Sequence, residues 1–239
     1  MKKILNTVVT GGPSGGKTTS LKILKEYFEG KGYKVLVSEE TATRLIKAGV
    51  TPDNVGLKTF QFLILILQLV QEIALRKAAQ EMKEEKIVIL YDRAVLDNRA
   101  YIKHEIFKQM IDSLGITEDQ IMGWYDIIIH MVSPALDNPE AYSLENIARF
   151  ETVEQARQVE LDTLVAYPDC EKKVVFYNDC TFPEKTDRVL KKLDEKLEEW
   201  EKQNQTLTIQ PELPENLPND EEIIFTILGF GVPKQYVKH

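Results

Sequence analysis

Cysteine is scarce in this chain, positive charge is in deficit, and no long hydrophobic run occurs. Cys170 and Cys180 are the only thiols among 239 residues. Two cysteines build neither a disulfide framework nor a zinc site. They read as free thiols in a reducing, cytoplasmic compartment. The formal net charge is −8, which argues against a nucleic-acid partner, since such proteins carry a basic face. A local basic pocket for phosphates stays open. The most apolar stretch, Phe62–Leu67, breaks off at Gln68, far short of the ~20 residues of a membrane span. It reads as part of a buried helix. The start, MKKILNTVVTGG, has a basic end but only a short apolar stretch that leads into a glycine-rich loop. Reading it as a cleaved signal would discard that loop, so no signal is expected. Internal repeats and low-complexity tracts are also missing.

What is present alternates. Apolar, β-branched runs at Ile4–Thr10, Tyr33–Ser38, Lys86–Tyr91, Tyr125–Val132 and Lys173–Tyr177 predict five strands. Helical spacing predicts helices over Thr18–Phe28, Glu39–Ala48, Leu96–Leu114, Asn146–Ala166 and Pro183–Gln203, with the longest helical stretch inside Val55–Glu85. Ser133–Glu145, with two prolines, reads as a loop. The expectation is an α/β fold with a five-stranded parallel sheet and helices on both faces. It occupies residues 1–205, with a lid at about 134–166. Residues 206–239 break the rhythm with PELPENLP, a candidate strand Ile223–Leu228 and GFG, and form a short C-terminal appendage.

Gly11, Gly12, Pro13, Ser14, Gly15, Gly16, Lys17 and Thr18 fit G-x-x-x-x-G-K-[ST]. Glycines let consecutive N–H groups turn inward around phosphate oxygens. Lys17 supplies a point charge to the β- and γ-phosphates, and the Thr18 hydroxyl is a ligand for Mg²⁺. Thr19 follows on a helix whose positive end faces the same anion. The loop follows a predicted strand and opens a predicted helix, the context this motif requires. The loop implies a nucleoside triphosphate with Mg²⁺.

Such a loop needs a second carboxylate for the metal, at the end of a neighbouring buried strand. Asp92 ends Ile87-Val-Ile-Leu-Tyr-Asp92 and fills that role. Arg93 comes next where motor ATPases usually carry glutamate. An arginine there is similar to nucleoside and nucleoside-monophosphate kinases, in which it faces the acceptor. No D-x-x-G follows this strand and no N-K-x-D occurs, so a GTPase reading loses ground.

An acceptor needs a group for its proton. Glu39 and Glu40 both follow the second strand, on the sheet edge where ligands bind, and either can accept a hydroxyl proton. Arg44 can meet an acceptor phosphate. Gln61 and Gln68 share a helix face and can read a base edge or face solvent, while Phe60 and Phe62 serve the core. Mobile positive charge over the γ-phosphate is expected from Arg149 first and Arg157 second. Asn178 and Lys185, after the fifth strand, are candidates for the base-binding end.

Four strings, TGGPSGGKTT, EETATRLIKAG, YDRAVLDNRAY and NIARFETVEQAR, together resemble the NadR-like AAA-domain ATPase/kinase family, whose members resemble thymidylate and deoxynucleoside kinases in fold. The likeness covers about Ile4 to Leu190. It implies ATP as cofactor, with GTP as the alternative, together with Mg²⁺, and matching roles for Lys17, Thr18, Asp92 and Arg93. It favours Glu40 over Glu39, and it adds Asp97 and Tyr101 as lining of the acceptor pocket. Some relatives phosphorylate a nicotinamide nucleoside and others bind GTP and phosphoinositides. This chain lacks an adenylyltransferase half, and its tail is too short for a large lipid-binding domain. The expected function is phosphoryl transfer from ATP·Mg²⁺ to a small nucleoside- or nucleotide-like acceptor. No nucleic acid and no membrane span are expected, and a homodimer is compatible. The alternatives are a nucleotide-binding regulatory protein without an acceptor and a plain hydrolase.

Overall fold

A computed structural model describes residues 2–142 and 152–206. Its strands are β1 Lys3–Thr10, β2 Lys34–Ser38, β3 Lys86–Asp92, β4 Ile127–Met131 and β5 Lys173–Phe176. They form a five-stranded sheet in the order β2-β3-β1-β4-β5, with every pairing parallel. All five expected strands form. The helices are α1 Lys17–Gly30, α2 Thr41–Lys47, α3 Pro52–Val55, α4 Leu57–Glu81, α5 His104–Asp112, α6 Glu118–Gly123, α7 Pro134–Asp137, α8 Val153–Ala166 and α9 Phe182–Thr206.

Both sheet faces are apolar because successive strand residues point to opposite sides. Along β3, Ile87, Ile89 and Tyr91 join one core while Val88 and Leu90 join the other. The first core is closed by Leu65, Leu69 and Ile73 of α4 and by Phe107, Met110 and Ile111 of α5. The second is closed by Leu21, Leu24 and Phe28 of α1 and by Val189, Leu193 and Leu197 of α9. Phe60 is buried and Phe62 packs against the first core, as expected. Leu65, from the FLILIL run, has no exposure. No helix among the described residues is long and apolar enough to cross a membrane.

Two local expectations need correction. Ser133–Glu145 is not a plain loop: up to residue 142 it holds α7 and a 3-10 turn, Pro139–Ala141. Each of its two prolines starts a helical turn, where a missing N–H costs nothing. Leu96–Leu114 is mostly helical as expected, built as a 3-10 turn, Val95–Ala100, followed by α5. Finally, α9 matches α4 in length at 25 residues. The start of the helix expected from Asn146, and the strand expected at Ile223–Leu228, lie outside the described residues.

Topology locates the site. β1 lies between β3 and β4: β2 and β3 stack on one side of it and β4 and β5 on the other, and at such a reversal of strand order ligands bind beyond the carboxyl ends. A buried carboxyl ties α4 to the turn that follows β3. Glu72 of α4 accepts from the Val95 N–H at 3.2 Å and the Tyr125 hydroxyl at 2.9 Å. Burial raises its carboxyl to about 7, although Arg76 and Tyr125 pull the other way. A carboxyl raised on folding stabilises most below its unfolded value of about 4.3, and that contribution is lost as pH rises through 7. Denaturant unfolding of wild type and Glu72→Gln is therefore expected to show wild type losing ground to the variant between pH 4.5 and 7.5. A pH-independent difference would contradict it.

Candidate active site

The phosphate loop connects β1 to α1. Its backbone alternates in hand: Gly11 has φ 129°, Ser14 φ 64° and Gly16 φ 85°. This alternation turns N–H groups to one side, making an anion-binding concavity. A Cβ on Gly11 would run into the Met131 carbonyl at the end of β4, so glycine is needed there for space as well as for conformation. The Ser14 hydroxyl is buried without a hydrogen-bond partner, a group a phosphate oxygen would satisfy. Lys17 is buried, and its Nζ donates to the Gly12 carbonyl at 2.7 Å. Burial, and then repulsion from Arg93, lower its ammonium to about 8, against the pull of Glu40, Asp92 and Asp97. Thr18 and Thr19 are exposed on the first turn of α1.

β3 delivers Asp92 and Arg93 beside this loop, because Val9 pairs with Asp92 in register and the Arg93 N–H donates to the Val9 carbonyl at 3.1 Å. Asp92 is half-buried. Burial and the nearby Glu40 charge raise its carboxyl to about 6, with Lys17 and Arg93 opposing. Arg93 adopts φ 65°, unusual for a side chain this large. That turn aims its guanidinium at two carboxylates: Nε reaches Glu40 Oε1 at 3.1 Å and Nη1 reaches Asp97 Oδ1 at 3.5 Å. The guanidinium also lies 5.7 Å from the Tyr101 ring centroid, within cation–π range.

Glu40 and Glu39 part company here. Glu40 bonds Arg93 through one oxygen and accepts from the Thr43 hydroxyl at 2.6 Å through the other. Burial alone would raise it, but Arg93, Thr43 and Lys17 hold its carboxyl below the ordinary range. Glu39 is exposed, and its backbone carbonyl accepts from Gln71. Lys17, Glu40, Asp92, Arg93, Asp97 and Tyr101 thus form one cluster.

Several expected site residues hold the scaffold instead of lying open in it. Asp97 is buried and accepts from the Thr10 hydroxyl, the Ala94 N–H and the Tyr167 hydroxyl as well as from Arg93. Gln61 and Gln68 are both buried, which removes the solvent-facing alternative; Gln68 accepts from Asn98 at 2.6 Å. Arg44 is exposed and donates to Gln71 at 2.7 Å. Lys185 is buried and donates to the Val132 carbonyl and to Asn178 Oδ1, while Asn178 also binds Asp137. These two brace the ends of β4 and β5. Arg157 is exposed on α8, and Arg149 lies outside the described residues.

Sequence reasoning missed Glu160 and Ser133, which bond the phosphate loop at Gly12 and Pro13, and His130, which bonds Glu160. A faint signal existed. Ala156, Glu160 and Thr163 recur at helical spacing on one buried face, so Glu160 occupies a core register that a charged helix would not give it.

For magnesium, the chain offers the Thr18 hydroxyl and the Asp92 carboxylate, both hard oxygen donors. No cluster of three or more acidic, histidine or cysteine side chains forms a metal cage among the described residues. Mg²⁺ is usually held by one or two carboxylates together with substrate phosphates. The mutual repulsion of Asp92 and Glu40 is what a bound cation would relieve.

A parallel sheet, a phosphate loop leading into a helix and an aspartate ending the adjacent strand define a P-loop NTPase. The chain matches the AAA domain family over residues 6–200 and belongs to that family. No curated protein matches it.

Proposed function

We propose that this P-loop protein is a phosphotransferase that moves the γ-phosphoryl group of ATP to a hydroxyl or phosphate of a small nucleoside-like acceptor. The observation that carries this reading is the Glu40–Arg93 pair, 3.1 Å apart beside Lys17. A hydrolase needs no half-buried arginine held beside a carboxylate that follows β2. An acceptor kinase uses one group to fix the acceptor and another to receive its proton.

The roles follow from the chemistry of each group. The loop N–H groups and Lys17 hold and neutralise the β- and γ-phosphates. Thr18 and Asp92 would hold Mg²⁺, which when bound offsets charge on the phosphates. Arg93 orients the acceptor, and Asp97 and Tyr101 hold Arg93. Glu40, ionised and a weak base, accepts a hydrogen bond from the attacking hydroxyl and receives its proton late. Most of the rate would come from positioning and charge neutralisation. Arg149 and Arg157 are the proposed sources of further positive charge over the γ-phosphate.

Purified protein given MgATP and a panel of nucleosides, nucleotides and related vitamins is expected to form ADP much faster with one acceptor class. Glu40→Gln keeps an oxygen for Arg93 but loses the base, so turnover is expected to fall roughly 10²-fold or more. MgATP binding should stay within a few-fold, and Glu39→Gln within twofold of wild type. Slow, acceptor-independent turnover across the panel would sink the proposal in favour of a nucleotide-binding regulatory protein.

A further inference from the structure

Glu160 lies one helical turn after Arg157 on α8 and has no exposed surface. A buried carboxylate is costly unless donors surround it. Here they do. The Gly12 N–H donates to Oε2 at 2.5 Å, the Ser133 N–H donates to the same oxygen at 3.0 Å, and His130 Nε2 lies 2.6 Å from Oε1. One donor belongs to the phosphate loop and the other two to β4 and the residue that caps α7. Burial alone would raise Glu160, yet His130 and the two backbone donors keep it below the ordinary carboxylate range. A carboxylate accepts only, so Nε2 carries the hydrogen in the His130 pair.

The loop is gripped a second time at the next residue. The Ser133 hydroxyl donates to the Pro13 carbonyl and accepts from the Ala135 N–H. Gly12 also fits this contact. A Cβ there would lie 2.6 Å from Glu160 Oε2 and 3.1 Å from Ser133 Cβ. The phosphate-loop pattern asks nothing of that position, so Glu160 supplies the reason for its glycine.

We propose that Glu160 is a positioning residue that sets the first turn of the phosphate loop and ties it to α8, so that nucleotide at the loop and the packing of α8 are coupled. The inference rests on nucleotide binding at the loop and not on transfer to an acceptor.

The test titrates the full chain with MgATP and follows amide hydrogen exchange in α8. Glu160→Ala is expected to bind MgATP at least tenfold more weakly, and α8 to gain protection from saturating MgATP in wild type but not in this variant. Glu160→Gln keeps an oxygen for both backbone N–H groups and is expected within threefold of wild type. Glu160→Asp, one methylene short, is expected at least threefold weaker, and it carries the test if the alanine variant does not fold. A lower melting temperature with MgATP affinity within twofold, and α8 protection as in wild type, would mean a merely structural role and overturn the proposal. Wild-type binding without acceptor turnover would sink the kinase reading and leave this one standing.

Discussion

Lys17→Met is expected to lower nucleotide-dependent turnover by roughly 10²–10³-fold, the loss typical of one preorganised group that stabilises developing charge. Lys17 is the buried cation of the phosphate loop, and its Nζ rests on the loop's own Gly12 carbonyl at 2.7 Å. The loss should not come from unfolding. Burial and Arg93 lower the ammonium to about 8 in the folded chain, against roughly 10.4 when unfolded. The unfolded chain therefore holds the proton more tightly between those values, and stability from this group rises with pH across that window. At pH 7 the folded chain carries the full cost of the buried charge, so Lys17→Met is expected to melt no lower than wild type there. MgATP affinity of wild type should decline above pH 8 as the free lysine loses its proton, and the variant should show no such decline. Calorimetric titration from pH 6.5 to 9.5 with melting curves checks both; a variant that binds MgATP within threefold of wild type would contradict the assignment.

Arg93→Ala is expected to damage stability and turnover together. The side chain is 10% exposed and bridges Glu40, at 35%, to Asp97, at 3%. Removing one member of a buried charge cluster costs roughly 3–5 kcal/mol. Water reaching Glu40 reduces the expectation to about 2–3 kcal/mol, or roughly 4–12 °C in Tm. Two carboxylates would face each other without their cation, and turnover with the acceptor should fall with them. A comparison separates side chain from backbone. Arg93 holds φ 65°, which costs a non-glycine residue about 1–2 kcal/mol. Arg93→Gly also deletes the guanidinium but relieves that strain, so it is expected to be about 1 kcal/mol more stable than Arg93→Ala. Denaturant unfolding measures the difference. Equal stabilities would show that the left-handed turn is not strained, and an Arg93→Ala chain as stable as wild type would show that the bridge contributes nothing.

Much of the molecule is legible in one dimension. The five strands stand out because a parallel sheet covered on both faces turns β-branched residues inward on each side, leaving continuous apolar runs such as Ile87–Leu90. The phosphate loop stands out because its conformation demands glycine and its ligand demands lysine, both within eight consecutive residues. Asp92 and Arg93 are legible by their place at the end of such a run.

Other features depend on which residues meet across the fold. Nothing in the spacing of Glu39 and Glu40 says which reaches Arg93, since neighbouring residues at a strand end diverge; the turn into α2 decides it. Asp97 reads as pocket lining, yet three further donors, from Thr10, Ala94 and Tyr167, make it the support of Arg93. Glu160 was hidden in a charged helix, because a buried carboxylate is tolerable only where its donors converge. Those donors come from Gly12, His130 and Ser133, the first of them 148 residues away. By itself the sequence determined the parallel sheet, the phosphate loop and its aspartate, because each rests on contiguous residues with strict steric needs. Only the tertiary structure decided which charges pair around them, because a charge's partners are set by proximity in space and by shared exclusion of water.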